Sequence, residues 1–317
     1  MKKLTKVLLI LGVGLCLIGA IFVGLGRLNG GDTAFRDAAI AVNSVRTGVT
    51  NGEPHTYEKS KMPLDSFKLI DAELANMDLS IKASDDNQAR LSYHIQGTTL
   101  ESPLHVSVKD GVLHLTESQA LASTGYSRTV IGLPFLSDFF TIDDEIQSQV
   151  TLYLPKTTYD ALTLKMNLGN LDIENADFAS ADIGIDYGDC HLQNASFKNA
   201  AFAMNNGDMA CKNTTLDAST ATLDLGDFSS DDARFAGDVS LSVDLGDLSI
   251  KLSEDMFPLL SIDAATRAGS MEISDKLTGG SLSDGDGDTT TSFHRTLIDE
   301  DVAHLDIESN MGDITIR

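Results

Sequence analysis

Tryptophan is absent from this 317-residue chain, and aromatic residues make up only 6% of it. That argues against a surface built for stacking on sugar rings or nucleobases. Cysteine occurs three times, as Cys16, Cys190 and Cys211, which is too few for a disulfide framework and gives no metal-ligand spacing. Basic residues are scarce: 23 against 47 acidic ones, for a formal charge of −24. Residues 1–31 hold Lys2, Lys3, Lys6 and Arg27 and no acid, so the remainder carries −28. A surface of that sign repels polyanions, and no nucleic-acid partner is expected. The seven histidines are scattered (His55, His94, His105, His114, His191, His294, His304), and no Ser/His/Asp or Cys/His order stands out. Polysaccharide lyases set basic groups beside carboxylates, which the repeats described below nearly lack. The chain is therefore read as not an enzyme, with no catalytic and no cofactor-binding residue.

What is present begins with a 19-residue run without charge, Val7 to Leu25. As a helix at ~1.5 Å per residue it nearly crosses the ~30 Å hydrocarbon layer. Three lysines precede it and Arg27 follows, so the positive-inside bias puts the N-terminus in the cytoplasm and the rest outside. The expected organisation is a basic tail over 1–6, an uncleaved transmembrane signal anchor over 7–28, and a linker over 29–63. Within the linker, Phe35, Ala38, Ala39 and Val42 have the spacing of a short amphipathic helix. A cleaved signal peptide is the rival reading, weakened by a run longer than a usual signal core and the lack of a small-x-small site. The expected location is a single-pass cell-membrane protein whose membrane partner is engaged through residues 7–25.

From Leu162 the sequence repeats. LKMNLGNLDI, IGIDYGDCHL, FAMNNGDMAC, ATLDLGDFSS and LSVDLGDLSI align on Gly169, Gly188, Gly207, Gly226 and Gly246, at spacings of 19, 19, 19 and 20 residues. A looser copy surrounds Gly269, and the sequence closes on IESNMGDITIR at Gly312. Counted from each glycine, positions −5, −3, −1, +2 and +4 are mostly apolar, which is the period of a strand. Each glycine is thus a structural turn between two strands, free to take positive φ, and the Asp or Asn after it is placed to bond the turn backbone. Position +9 adds an apolar row of Phe178, Phe197, Leu216 and Phe235. A 19-residue unit cannot bury its own apolar face, whereas stacked units form one core. The predicted fold is all-β, a parallel β-solenoid over 64–317 with the clearest repeats over 162–317.

Weaker copies precede these. Ala75-Asn76-Met77-Asp78-Leu79 parallels Gly169-Asn170-Leu171-Asp172-Ile173, and LHVSVKDGVLHL reads as a hairpin about Asp110-Gly111. Residues 120–147 form an insertion holding VIGLPFLSDFF (130–140), read as a loop packed against the side of the coils or capping their end, or as a membrane-touching or partner-binding lip. Cys190 and Cys211 fall on inward positions and read as small buried hydrophobes rather than a disulfide pair.

The main polar feature is a double row: Asn170, Asp189, Asp208, Asp227, Asp247 and Asp313 at +1, and Asn167, Asp186, Asn205, Asp224, Asp244 and Asn310 at −2. Carboxylates stacked ~4.8 Å apart repel by about 1 kcal/mol in water and about 3–4 kcal/mol at an effective dielectric of ~20, so something must offset the repulsion. Either each Asp bonds its own turn, or a low-affinity Ca²⁺ row sits on Asp189, Asp208, Asp227 and Asp247. Asp284, Asp286 and Asp288, in SDGDGD, resemble half of a calcium loop but lack its twelfth-position glutamate, since Arg295 stands there. Apart from that Ca²⁺, no cofactor is implied.

The series of basic N-terminus, apolar run, alternating VTLYLPKTTYDALTLKMNLGNLDI, serial Gly-Asp corners and terminal GDITIR resembles the LiaG-like adhesin-candidate family, a β-strand-repeat domain of unknown function in Gram-positive bacteria. The resemblance covers about Leu64 to Arg317. It implies a surface-exposed solenoid, often encoded beside envelope-stress signalling genes, with no catalytic residues to carry over. The expected function is a membrane-anchored, non-catalytic surface or envelope interaction module. The alternative is a regulatory membrane protein acting on an envelope-stress system, with a carbohydrate-active enzyme behind both.

Overall fold

The computed structural model describes residues 55–97, 102–118, 148–283, 290–298 and 303–317. The run 7–25, the amphipathic segment 33–45, the insertion 120–147 and Asp284, Asp286 and Asp288 lie outside the described residues. No helix among the described residues is long and apolar enough to cross a membrane.

The described chain is all-β, its one helical element being a six-residue 3₁₀ helix at Glu254–Leu259. The repeat folds into parallel coils, each a set of strands hydrogen-bonded to the same strands of the coils before and after it. The glycine-preceding strands form the first ladder. Ala161–Leu168, Ala181–Tyr187, Ala200–Asn206, Thr220–Leu225 and Asp238–Leu245 stack in register. The glycine-following strands form the second, running through Leu171–Glu174, Cys190–Gln193, Met209–Lys212, Phe228–Ala236 and Leu248–Leu252. A third, shorter ladder holds Thr158–Tyr159, Asp177–Phe178, Ser196–Lys198 and Thr215–Asp217, ending on the far half of Phe228–Ala236.

Period-two alternation sends −5, −3, +2 and +4 inward, and the 19-residue period puts like side chains in rows. Ile183, Ile185, Leu171, Ile173, Cys190 and Cys211 are all buried. The +9 row closes the core as an aromatic column. Phe67, Tyr159, Phe178 and Phe197 follow one another with ring centroids 5.8, 6.0 and 5.5 Å apart, and Leu216 and Phe235 continue it. Both described cysteines are free thiols, and burial pushes each thiol up, Cys211 to about 12.

Each coil turns three times. Gly169, Gly188, Gly207, Gly226, Gly246 and Gly312 all take φ between +139° and +155°. An added Cβ at Gly207 meets the Gly188 carbonyl oxygen at 2.0 Å, so packing as well as torsion requires glycine there. The second turn falls at +6, where Asn175, Asn194, Asn213 and Asp232 take the left-handed conformation that suits Asn and Asp. The third falls at +11, on Asn199, Ala218 and Gly237.

Four features depart from the sequence reading. First, the −1 row is not inward. Strand pairing steps from −3 to −1, as in Ile185↔Met204 followed by Tyr187↔Asn206. The alternation therefore breaks at −2, and Tyr187, Leu225 and Met311 face solvent at 54, 42 and 53% exposure. Second, the early copy aligns two residues later than expected. Leu79 pairs with Leu171, so Met77 takes the place of Gly169 and Asp78 that of Asn170. The shared Asn and Asp letters allow the shifted match, and only the register of the apolar rows decides between them. Third, the first described strand lies inside the stretch read as linker. His55–Pro63 is a strand antiparallel to Arg90–Gly97, polar on both faces apart from Tyr57 and Met62, which pack against the core. Such a lysine-bearing edge strand, with its register shift between Lys59 and Met62, carries almost no periodic signal.

Fourth, the coils do not stack in chain order at either end. Ala303–Met311 and Ile314–Ile316 insert between Asp238–Leu245/Leu248–Leu252 on one side and Leu260–Ala268/Met271–Ile273 on the other. The Gly312 coil therefore lies on Gly246, and the Gly269 coil lies on Gly312. At the other end Leu69–Asn76 is held between Ala161–Leu168 and Val112–Glu117. Antiparallel strands then cover the outermost coils: Leu104–Lys109 on Val112–Glu117, Arg90–Gly97 on Gln149–Leu154, and Thr291–Arg295 on Leu260–Ala268. Buried Arg295 pins this last cap, donating to the carbonyls of Thr278 and Leu260. Tucking a terminal strand between two coils pairs both of its edges, and the antiparallel caps cover strand edges that would otherwise template association.

Candidate functional site

The glycine corners, stacked, form an edge with three parallel columns. The +1 column runs Asp78, Asn170, Asp189, Asp208, Asp227, Asp247, Asp313 and then Ser270. One Oδ1 after another accepts the backbone N–H of the next residue up. Asn170 donates to Asp78 at 2.8 Å, Asp189 to Asn170 at 3.0 Å, and Asp208 to Asp189 at 3.0 Å. Asp227 donates to Asp208, Asp247 to Asp227 and Asp313 to Asp247, each at 2.8 Å, and Ser270 to Asp313 at 2.6 Å. The expectation that each Asp bonds its own turn is corrected here. With the corner glycine extended at positive φ, the side chain points along the stack and its partner is the neighbouring coil's amide. These charge-assisted bonds offset the repulsion between stacked carboxylates. The backbone N–H and side chain of Ser270 hold the Asp313 carboxyl below the usual carboxylate range.

The −2 column alternates amide and acid. Asn205 Nδ2 donates to Asp186 Oδ1 at 2.8 Å, and Asn310 donates to Asp244. Asn167, Asp186, Asn205, Asp224, Asp244 and Asn310 thus include only one step, Asp224 to Asp244, with acid on acid. Arg267 occupies the same position in the Gly269 coil.

Between these columns lies the −1 row: Leu168, Tyr187, Asn206, Leu225, Leu245 and Met311, consecutive in the stack. The edge is therefore acid, apolar, acid in cross-section. The outward positions of the adjoining first ladder are small or polar instead: Gly184, Ala201, Ala203, Thr220, Thr222, Ser240 and Ser242.

Of the sequence-proposed cation ligands, Asp189, Asp208, Asp227 and Asp247 are brought together in one column, each with one oxygen already taken by an amide. Among the described residues no group of three or more His, Cys, Asp or Glu side chains is arranged to hold a metal. Three features escaped sequence reasoning. Glu117 is buried, and its Oε2 accepts the N–H groups of Ala75 and Asn76 at 2.7 and 2.8 Å; burial still pushes its carboxyl up. Asp263 bonds His294 and lies 3.5 Å from His304 on the outer face of the C-terminal coils. Neither shows in the periodicity, because each joins segments far apart in sequence. The Asn column at +6 was visible as letters at 19-residue spacing and marks the second turn.

The family model described as Toastrack DUF4097 matches residues 67–317. No curated relative matches the chain. Among solved structures, a candidate cell adhesion protein from Clostridium sporogenes is 12% identical over 83% of this chain and 99% of that one, with a TM-score of 0.31. A candidate adhesin from Bacteroides fragilis is 14% identical over 85% and 100%, with a TM-score of 0.43. Another from Parabacteroides distasonis is 10% identical over 84% and 98%, with a TM-score of 0.33.

Proposed function

This chain belongs to the Toastrack DUF4097 family, and from that premise we propose that it is a non-catalytic surface interaction module, a β-solenoid of the LiaG-like, adhesin-type kind. The observation that carries the reading is the corner edge. Its carboxylates are committed as acceptors to the amides of neighbouring coils, so the repeated polar groups build a surface rather than a reaction centre. What the repetition supplies is an extended edge of uniform chemistry, suited to meeting a partner along its length. The apolar run Val7–Leu25 with its flanking lysines supports a membrane tether with the coils on the outer side, in the envelope of a Gram-positive cell. The resemblance to envelope-stress-linked proteins supports a part in that response.

The test is a pull-down of the full chain against whole-envelope extract, paired with incubation against cell-wall polysaccharides. Retention of an envelope component with no new polysaccharide ends is the expected result. Release of new ends, lost when the corner aspartates are replaced, overturns the non-catalytic reading.

A further inference from the structure

The geometry points to the −1 column as a docking strip for a basic amphipathic helix. This rests on the chain being an interaction module but not on the compartment in which it works. Apart from Asp182, the two outward positions before the −2 column on the central first-ladder strands are filled with Gly, Ala, Ser and Thr. At the one outward position between the acid columns the sequence instead places Leu, Tyr, Leu, Leu and Met, interrupted only by Asn206. Tyr187, Leu225 and Met311 are about half exposed there, with no partner in the core to explain their size. Large apolar side chains held in a row on a polar surface mark a place where something covers them.

Charge selects the occupant. The strip is bordered on one side by five consecutive aspartates, Asp189, Asp208, Asp227, Asp247 and Asp313, one from each of five stacked coils, and on the other by the Asn/Asp column. A second copy of the edge would set acid against acid, and an anionic membrane surface or a nucleic acid would be repelled likewise. A cationic partner with an apolar stripe is attracted on both counts.

Spacing selects its form. Six coils at ~4.8 Å put the strip's side chains over about 24 Å. An amphipathic helix presents an apolar residue every ~3.5 residues, or about 5.3 Å, and keeps near-register with the strip over six contacts. A strand lying along the stack presents one every ~6.7 Å and falls out of register after two or three. The occupant is therefore a helix of about 16–18 residues with Lys or Arg flanking a Leu-like stripe.

The test uses the full chain immobilised on a sensor surface. The probe is an 18-residue peptide with Leu at helical i, i+3, i+4 spacing and Lys on its flanks. Two controls have the same composition, one scrambled and one with Leu and Lys alternating strictly. We expect the helical peptide to bind at least tenfold tighter than either control. We also expect a tenfold or greater loss on the triple replacement Tyr187→Ser, Leu225→Ser, Met311→Ser, and a comparable loss for Asp208→Asn with Asp227→Asn, which keeps the amide acceptors in place. The melting temperature of each variant is measured alongside, and the acid-to-amide pair decides the matter if the serine variant unfolds. Equal binding of all three peptides, undiminished binding to the acid-to-amide pair, column-dependent dimerisation in sedimentation, or column-dependent binding to zwitterionic vesicles overturns the proposal. If the peptide fails while the pull-down retains an envelope component, only the strip's assignment falls.

Discussion

Replacing Gly207 with alanine tests the corner directly. Gly207 has φ +141°, and an added Cβ would lie 2.0 Å from the carbonyl oxygen of Gly188 and 2.6 Å from its carbon. Torsional strain at such a φ costs a non-glycine residue about 1–3 kcal/mol. The overlap adds to this, because a carbon and an oxygen need more than an ångström of further separation. The coils cannot move apart by that amount without stretching the bonds that space them. Gly188 N–H donates to Asn206 O and Cys190 N–H to Asp208 O, each at 2.9 Å, and Asp208 N–H donates to Asp189 Oδ1 at 3.0 Å. Losing two or three of these at about 1 kcal/mol each, on top of the strain, places the total near 3–6 kcal/mol. Gly184 in the preceding coil is the control. It has no positive φ, and its Cβ would find nothing nearer than Leu164 O at 4.0 Å. Alanine there is expected to be neutral or to stabilise by about 0.5–1 kcal/mol, as for glycine in a strand interior. Since the chain has no tryptophan, unfolding in urea is followed by far-ultraviolet circular dichroism. Gly207→Ala should lower the midpoint sharply while Gly184→Ala leaves or raises it. Unfolding free energies of the two variants within about 1 kcal/mol of one another would falsify the argument that backbone contact between coils dictates the glycine column.

Four further outcomes follow from single groups. Ala218 takes φ +46°, so Ala218→Gly should stabilise by up to about 1 kcal/mol in the same assay, and a loss of stability would refute the left-handed turn at that position. Ser230 occupies an inward row otherwise held by Ile173, Leu192, Cys211, Ile250 and Ile316, and its hydroxyl is buried without a hydrogen-bond partner; Ser230→Ala should therefore stabilise by about 1 kcal/mol. Burial raises the Glu117 carboxyl, so the folded state binds its proton more tightly than the unfolded state does, and stability falls as pH rises through the folded value. Glu117→Gln should flatten that slope, its advantage at neutral pH shrinking as the pH is lowered through the raised folded value toward the ordinary 4.5 and changing no further below it; an unchanged slope would count against the assignment. Finally, Ca²⁺ and Mg²⁺ at equal millimolar concentration should raise the melting temperature equally if the Asp column is merely screened, whereas a larger effect of Ca²⁺ would reveal the calcium row.

Much of the fold was legible because a repeat writes its register into the chain. The glycines at 19-residue spacing and the apolar letters two apart leave few arrangements that bury every row. The same logic misplaced the −1 residues, since their apolar character continues an alternation that the backbone interrupts one residue earlier. It also misaligned the first coil, where Met77 replaces glycine. His55–Pro63 escaped it altogether, because an edge strand with solvent on most sides has no need of a pattern.

The sequence by itself determined the coil: its length, its first corner, its inward rows and its acidic edge. These follow from local backbone torsion and from side-chain periodicity, and both act within a few residues. Only the tertiary structure decided the order of the coils at the two ends and the direction of the aspartate bonds. A strand that inserts between two coils carries the same inward pattern as one that stacks at the end. Likewise an Asp that bonds the next coil's amide has the same neighbours in sequence as one that bonds its own turn. Contacts between segments 19 to 92 residues apart made those choices, through edge pairing that no stretch of the chain can satisfy alone.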